Sequence, residues 1–449
     1  MKLKFLGAAG TVTGSSYVLT SESGQSILID LGMFQGTPDI DRMNYDNYDY
    51  DCSQLYGAIL THAHLDHCGR LPILLPRGFK GKIWMTPATR DLTELSLLDS
   101  AKIAVQDNRK ILYDKELAFQ TINRFQTVEY HTPIELGVFK VTMYDAGHIL
   151  GSASLVIEDM SAQGEMRKIV FSGDLGNTPE DIVMPTELIE SADAVVMEST
   201  YGDRLHPDED AAAMIQAEIN AVEESGGTLL LPAFALERTQ DLLHIIMHLK
   251  KEGKIKEETP VYLDSPMAER ATMIYTDFPY LFNAHIQDDL KQGTPFGFEG
   301  LEVVAKRNQS QGIHREDGAK VIIAGSGMMS GGRIVGHAAF YLTNPKNRLL
   351  IVGYQGEGTL GRQLMEGEKV VTIEKAQILV RASVNTTHAM SSHADQQQLM
   401  DWLKAIKDVK KVFLTHGEDG PRAELAKRIT AELGIQDITL PVLNQEVEL

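Results

Sequence analysis

Residues 61–69 read THAHLDHCG and directly follow the apolar stretch GAIL at 57–60. His62, His64, Asp66 and His67 thus place four ligand-type side chains within six positions, at the end of what reads as a buried strand. Along an extended stretch, residues two apart face the same side, so His62 and His64 can grip one metal ion. A turn at Leu65 then swings Asp66 and His67 toward a second. A lone histidine is usually structural, but His-x-His-x-Asp-His after an apolar strand points to a metal centre. Cys68 beside it reads as a small buried side chain.

Upstream, MKLKFLG, SSYVLTSES and QSILIDLG are short, rich in apolar and β-branched residues and bounded by Gly or Ser, which predicts strands that open the fold as a sheet. From about 87 to 125 the apolar spacing becomes helical, with Thr86 and Pro87 as the entry. Strands return at KVTMYDAG, ASLVIED, KIVFSGD and ADAVVMEST. Beyond Glu198, predicted helices at 208–225, 237–252 and 266–278 alternate with TLLLPA, PVYLDS, KVIIAGS and NRLLIVGY. That alternation predicts a parallel α/β unit. ILVRAS, a helix after His393, KKVFLTHG, a helix from Pro421 and a terminal strand in ITLPVLNQEVEL complete the chain.

The chain has 449 residues, with 42 Lys plus Arg against 62 Asp plus Glu and a net charge of −20. Proteins that coat nucleic acid through their overall field are usually basic, so this balance leaves only a local basic surface for such a partner. Two cysteines in so long a chain provide no disulfide framework, which favours a reducing compartment. Glycines and threonines interrupt the first residues before a signal-peptide core can form, and no apolar run approaches the ~20 residues of a spanning helix. A cytoplasmic protein with no membrane partner is the expectation.

Four further segments carry ligand-type residues in Gly-flanked turns after predicted strands. DLGMFQG contains Asp30, DAGHILGSAS contains His148, SGDLGN contains Asp174, and LTHGE contains His416; ESTYGDR adds Glu198 and SSHAD adds His393. Together with THAHLDHCG, this series resembles the metallo-β-lactamase superfamily. The long α/β stretch between Glu198 and His393 narrows the resemblance to the β-CASP family, with motif A at Glu198, motif B at His393 and motif C at His416. GAAGTVTGSS, LPAFALERTQDLL, GSGMMSGGRI and GEGTLGR resemble the bacterial and archaeal homologues of the endonuclease subunit of the pre-mRNA cleavage and polyadenylation factor.

The resemblance covers essentially the whole chain and implies an α/β fold: a metallo-β-lactamase αββα sandwich with an inserted parallel α/β β-CASP domain. It places the first part of the catalytic domain at 1–199, the β-CASP lid at 200–378 and the second part at 379–449. It further implies a first Zn²⁺ held by His62, His64 and His148, a second by Asp66, His67 and His416, Asp174 spanning both, and Asp30 supporting the site from behind. The ligand types also suit Mn²⁺. The implied activity is hydrolysis of RNA phosphodiester bonds, mainly endonucleolytic with 5′-to-3′ exonuclease activity as a second mode. His393 would be the general acid, Glu198 its partner, and Asp66 a further catalytic residue. The alternatives are a metal-dependent DNA nuclease and a non-catalytic RNA-binding subunit; an intact ligand set and the presence of His416 favour an active ribonuclease. Single-stranded RNA is the expected partner, and the terminal strand is compatible with a homodimer.

Two Gly-rich stretches of the lid, AGSGMMSGGR (324–333) and GYQGEGTLGR (353–362), follow predicted strands and suit backbone N–H groups that cradle phosphate, with Ser326, Arg333, Arg362 and His337 as substrate contacts. Residues 301–380 hold 10 Lys plus Arg against 7 Asp plus Glu, a net +3, which leaves −23 for the rest. Without the resemblance, tight turns are an equal explanation. His388 is close in sequence to His393 and could line the site. His131, His206, His244, His248, His285 and His314 lie outside the motifs. His244 and His248 are four apart on a predicted helix and look like a metal pair, but lack an accompanying acidic ligand pattern.

Overall fold

A computed structural model describes all residues of the chain except 47–48, 107–109, 162–166 and 178–181. Two compact units form: Met1–Leu205 together with Ser392–Leu449, and His206–Ser391.

The first unit contains two mixed sheets, each of seven strands among the described residues. One runs Glu446–Glu448, Lys2–Phe5, Tyr17–Thr20, Ser26–Ile29, Leu55–Ile59, Ile83–Met85, Phe125–Thr127. The other runs Asp437–Thr439, Lys411–Thr415, Ala194–Glu198, Lys168–Phe171, Ala153–Asp159, Phe139–Asp145, Ile134–Leu136. The two-residue period of a strand sorts its side chains between layers. Ile27 and Ile29 point between the sheets, where they meet Phe5, Phe139, Phe171 and Phe413. Leu28 points the other way, onto a layer with Leu97, Ala101, Ala118 and Ile122 from the helices Pro87–Gln106 and Lys115–Ile122. In the second sheet Phe413 faces inward, while Val412 and Leu414 pack outward against Leu399, Leu403, Leu425 and Ile429 of the helices Gln396–Ala405 and Asp419–Leu433. The result is a helix–sheet–sheet–helix sandwich with its main core between the sheets.

The second unit is built on a six-stranded, all-parallel sheet in the order Leu301–Val303, Val261–Asp264, Lys320–Ala324, Thr228–Pro232, Arg348–Ile351, Ser383–Thr386. The central strands TLLLP and KVIIA are apolar runs buried throughout, as expected for parallel strands covered on both faces. Strand Ser383–Thr386 belongs to this sheet by pairing with Arg348–Ile351. Glu218 braces that edge, accepting from Arg348 and, at 2.6 Å, from Asn385 Nδ2.

The helical stretch expected over 87–125 is two helices followed by a strand. Asp114 restarts the helix by accepting from Leu117 N at 2.8 Å, a capping geometry that is incompatible with a helical interior at that position. The expected single terminal strand is two short ones, Asp437–Thr439 extending one sheet and Glu446–Glu448 the other.

Phe413 is fully buried between the sheets with its ring centroid 5.4 Å from that of Phe5. Phe413→Ala is expected to cost about 3–5 kcal/mol, measured as a lower denaturant midpoint at unchanged slope; a loss below about 1 kcal/mol would show that this layer can collapse around the cavity.

Candidate metal centre

Asp30, His62, His64, Asp66, His67, His148, Asp174 and His416 follow the ends of strands in the first unit, Glu198 is the last residue of one, and His393 lies shortly before the helix Gln396–Ala405. The turn Leu65–Cys68 is a single helical turn entered at His64. Its carbonyls are claimed by neighbouring backbone: Ser15 N donates to Asp66 O at 2.8 Å, Leu31 N to His67 O at 2.8 Å and Met33 N to Leu65 O at 2.7 Å. Gly32 permits this approach, because a Cβ there would lie 1.5 Å from the Asp66 carbonyl oxygen. Likewise a Cβ at Gly176 would lie 1.7 Å from Gly147 O, so the loops bearing Asp174 and His148 can touch.

Two groups of donors converge. His62, His64, His148 and Asp174 offer ligand atoms that all lie within 4.8 Å of one another, as do Asp66, His67 and His416. Asp174 stands between the groups and divides its oxygens. Oδ2 is 3.5 Å from His62 Nε2 and 3.7 Å from His148 Nε2, whereas Oδ1 is 3.2 Å from His67 Nε2 and 3.7 Å from His416 Nδ1. His148 Nε2 lies 3.2 Å from His64 Nδ1, and His416 Nε2 lies 3.4 Å from Asp66 Oδ2.

The site's electrostatics suit cations. Burial, with neighbouring imidazoles, holds His62 and His148 well below the usual histidine range and His64 down to about 4, so all three are neutral, the ligand form, at pH 7. Burial opposes ionisation of Asp66, yet His416 and His67 keep its carboxyl down at about 2. Asp174 is 2% exposed and held well below the carboxylate range against its own desolvation by His416, His67 and His62. His67 behaves oppositely: despite burial, Asp174 and Asp30 raise it, and a dication at Nε2 would take the place of that proton. His62 Nε2 and Asp174 Oδ1 are buried with no hydrogen-bond partner, the kind of orphaned atom a metal ion satisfies. The residues therefore fit a pair of dications.

Supporting contacts fix which nitrogen faces the centre. Asp30 accepts from Thr61 N, Thr61 Oγ1 and His67 Nδ1, each at 2.8 Å, which leaves His67 Nε2 aimed at Asp174. His148 Nδ1 donates to Ser392 O at 3.0 Å.

Against this cluster lies His393. Its Nδ1 is 3.2 Å from Glu198 Oε1 and 4.0 Å from Asp174 Oδ2, and its ring centroid is 4.6 Å from that of His148. Burial lowers it, but Glu198, then Asp174 and Asp66, raise it to about 9. Glu198 is itself pinned, accepting from Leu175 N at 2.7 Å. A bridge between Gly176 and His393, with Ala394 N donating to Leu175 O at 2.8 Å, holds the two loops together.

Three family models match along the chain: the metallo-beta-lactamase superfamily over residues 9–215, the Beta-Casp domain over 239–364, and the Zn-dependent metallo-hydrolase RNA specificity domain over 377–441. Ribonuclease TTHA0252 of Thermus thermophilus is 37% identical over 429 residues, 95% of each chain. The chain belongs to the β-CASP family. Other β-CASP relatives are RNase aCSPSF2 of Saccharolobus solfataricus, 33% identical over all of this chain and 85% of that one, and Cleavage and polyadenylation specificity factor 73 of Drosophila melanogaster, 29% identical over 96% of this chain and 62% of that one.

The substrate contacts expected in the β-CASP unit are dispersed in role. Arg333 is committed internally, to Asp264 and, at 2.7 Å each, to Val304 O and Ala305 O. His337 is buried, with Nε2 2.7 Å from Asp264 Oδ2 and Nδ1 3.1 Å from His314. Ser326 is half-buried, and its Oγ accepts from Ser330 N at 3.1 Å. Arg362 is half-exposed beside Glu366, and His388 is exposed. The resemblance placed Asp30 behind the site but did not name His67 as its partner, and the pinning of Glu198 by Leu175 N was not legible either, because a backbone donor leaves no mark on residue type.

Asp30→Ala is expected to weaken metal binding at the His67 group by about 10–100-fold, read by competition with a chelator. An unchanged affinity would show that Thr61 and the backbone suffice to orient the ring.

Proposed function

We propose that this chain is a two-zinc ribonuclease that hydrolyses phosphodiester bonds of single-stranded RNA in processing or decay, cutting mainly at internal positions with 5′-to-3′ nucleotide removal as a second mode. The observation that carries the reading is the division of the Asp174 carboxylate between two donor groups, with the His393–Glu198 pair beside it. The names of its relatives and the RNA specificity model support RNA as substrate. His62, His64 and His148 would hold one zinc and Asp66, His67 and His416 the other, with the Asp174 carboxylate facing both groups. Zinc so placed lowers the pKa of water toward roughly 7 and offsets charge on a phosphodiester under attack.

The chain's own residues do the rest. Burial keeps three histidines neutral, and Asp30 holds His67 in one tautomer. Glu198 takes Nδ1–H of His393, so the proton for the departing O3′ comes from Nε2, and the products are a 3′-hydroxyl and a 5′-phosphate. In the β-CASP unit, Ser326 and Arg362 contact the RNA, while Arg333 and His337 stiffen the Gly-rich turn through Asp264. Few phosphate contacts are implied by a net charge of −20, so binding weakens only gently with salt.

Incubating purified protein with 5′-labelled single-stranded RNA bearing a 5′-phosphate or 5′-hydroxyl, with and without chelator, tests this. Chelator-sensitive internal fragments are expected, and mononucleotides report the exonucleolytic mode. Equal cleavage of a matched DNA strand, or cleavage that survives the chelator, would overturn the reading.

His393→Ala should lower the cleavage rate by about 10²–10⁴-fold while metal content stays at the wild-type value; loss of metal instead would make His393 a ligand. A general acid acts when protonated, so activity declines as pH rises through its pKa. Glu198→Gln removes the leading cause that raises His393 and should move that decline to lower pH; an unmoved alkaline limb would assign it to another group.

A further inference from the structure

Outside the metal centre, a second convergence of histidines lies in the unit His206–Ser391. The helix Arg238–Lys251 carries His244 and His248 four residues apart, hence on one face, and the helix Ala284–Leu290 carries His285 and Asp289 at the same spacing. The two pairs meet: one donor atom from each of the four residues lies within 4.8 Å of the others. The acidic ligand missing beside His244 and His248 in sequence is thus supplied by Asp289, 41 positions beyond His248.

Three of these atoms form a tight triangle. Asp289 Oδ2 is 3.0 Å from His244 Nε2 and 2.8 Å from His248 Nε2, and the two nitrogens are 3.0 Å apart. Hydrogen bonding accommodates two edges of such a triangle but not the third. If both imidazoles donate to Oδ2, two N–H dipoles face each other; if one withdraws its proton, its lone pair faces the carboxylate. One cation satisfies all three atoms at once. Zinc–nitrogen bonds of about 2.0–2.1 Å set the edges of a tetrahedron at about 3.3 Å, so the triangle needs to open by only a few tenths of an ångström. The His285 ring stands ready as the fourth donor, 5.5 Å from the His248 ring and 5.6 Å from the His244 ring. His244 and Asp289 are buried and His285 is exposed, which gives a rigid floor and an entry from solvent. Lys251, 3.9 Å away, faces the other carboxylate oxygen.

We propose that His244, His248, His285 and Asp289 bind one structural zinc ion that ties these two helices together. Four protein donors complete the coordination, so no open position remains for catalysis. A seven-residue helix is marginal by itself, and a metal cross-link to its 14-residue neighbour fixes it in place. This site is independent of the reading of the metal centre as a two-zinc nuclease.

The test uses the full chain as purified, wild type against the double variant His285→Ala/Asp289→Asn, with His285→Ala alone as a second variant because its exposed side chain leaves folding undisturbed. After dialysis of each protein against zinc and then against a weak chelator, elemental analysis is expected to find one zinc per chain fewer in the double variant. The melting temperature of the wild type should fall on chelation to near that of the double variant, and His285→Ala should lose its zinc at lower chelator concentration than wild type. RNA cleavage with zinc restored should be retained in both. The difference between proteins is the readout, so a failure of the two-zinc reading would change the totals and leave the difference. Equal zinc content in wild type and double variant, with native circular dichroism in both, would overturn the proposal.

Discussion

Asp174 is a carboxylate sealed from solvent and surrounded by imidazoles from both halves of a sandwich. A buried charge costs several kcal/mol unless it is compensated in good geometry, so the two sheets must pack in one register for this residue to be tolerated. His62, His64, Asp66 and His67 come from the end of one sheet, and His148, Asp174, Glu198 and His416 from ends of the other. What fixes the distance between these ends is the layer directly beneath, where Phe5, Tyr17, Phe171 and Phe413 interlock and Tyr17 donates to Thr415 Oγ1 at 3.0 Å. The aromatic core is therefore part of the metal centre's geometry, because a ligand set tolerates displacements of only about 0.5 Å.

Protons and metal ions compete for the same atoms here, and the two donor groups are biased differently. Burial strips His62, His64 and His148 of their protons in advance, so a cation meets no competitor there. At His67 the surrounding carboxylates Asp174 and Asp30 favour positive charge of either kind. A cation arriving at the second group therefore displaces a proton from His67, whereas one arriving at the first group meets histidines that are already neutral.

Much of this was legible in the sequence, for a physical reason. Metal ligation uses few residue types at spacings dictated by strand and turn geometry, so THAHLDHCG carries its chemistry openly, whereas DAGHILGSAS and SGDLGN are weak motifs alone and took their meaning from the family resemblance. Long apolar strands and the β/α alternation after Glu198 were equally plain. Illegible features depend on partners remote in sequence. The break at Asp114 is a choice between a helix interior and a cap, decided by tertiary packing. Arg333 looked free to meet phosphate, but Asp264, which also holds His337, claims it inside the β-CASP unit. His244 and His248 lacked a carboxylate until a separate helix brought Asp289.

Backbone conformation at the metal centre follows the same division. Asp30 and His416 both sit at positive φ, +53° and +46°, immediately after strands Ser26–Ile29 and Lys411–Thr415. Non-glycine residues held in this region cost of the order of 1–3 kcal/mol each, and glycine would relieve the strain. Glycine, however, has no side chain to orient His67 or to join Asp66 and Asp174. At Gly32 and Gly176 the balance reverses: no side chain is needed, and any Cβ would collide with a carbonyl oxygen. Local strain is accepted where the side chain reaches the cluster and avoided where only the backbone does, so the pattern of Asp, His and Gly around these loops marks which positions the chemistry uses.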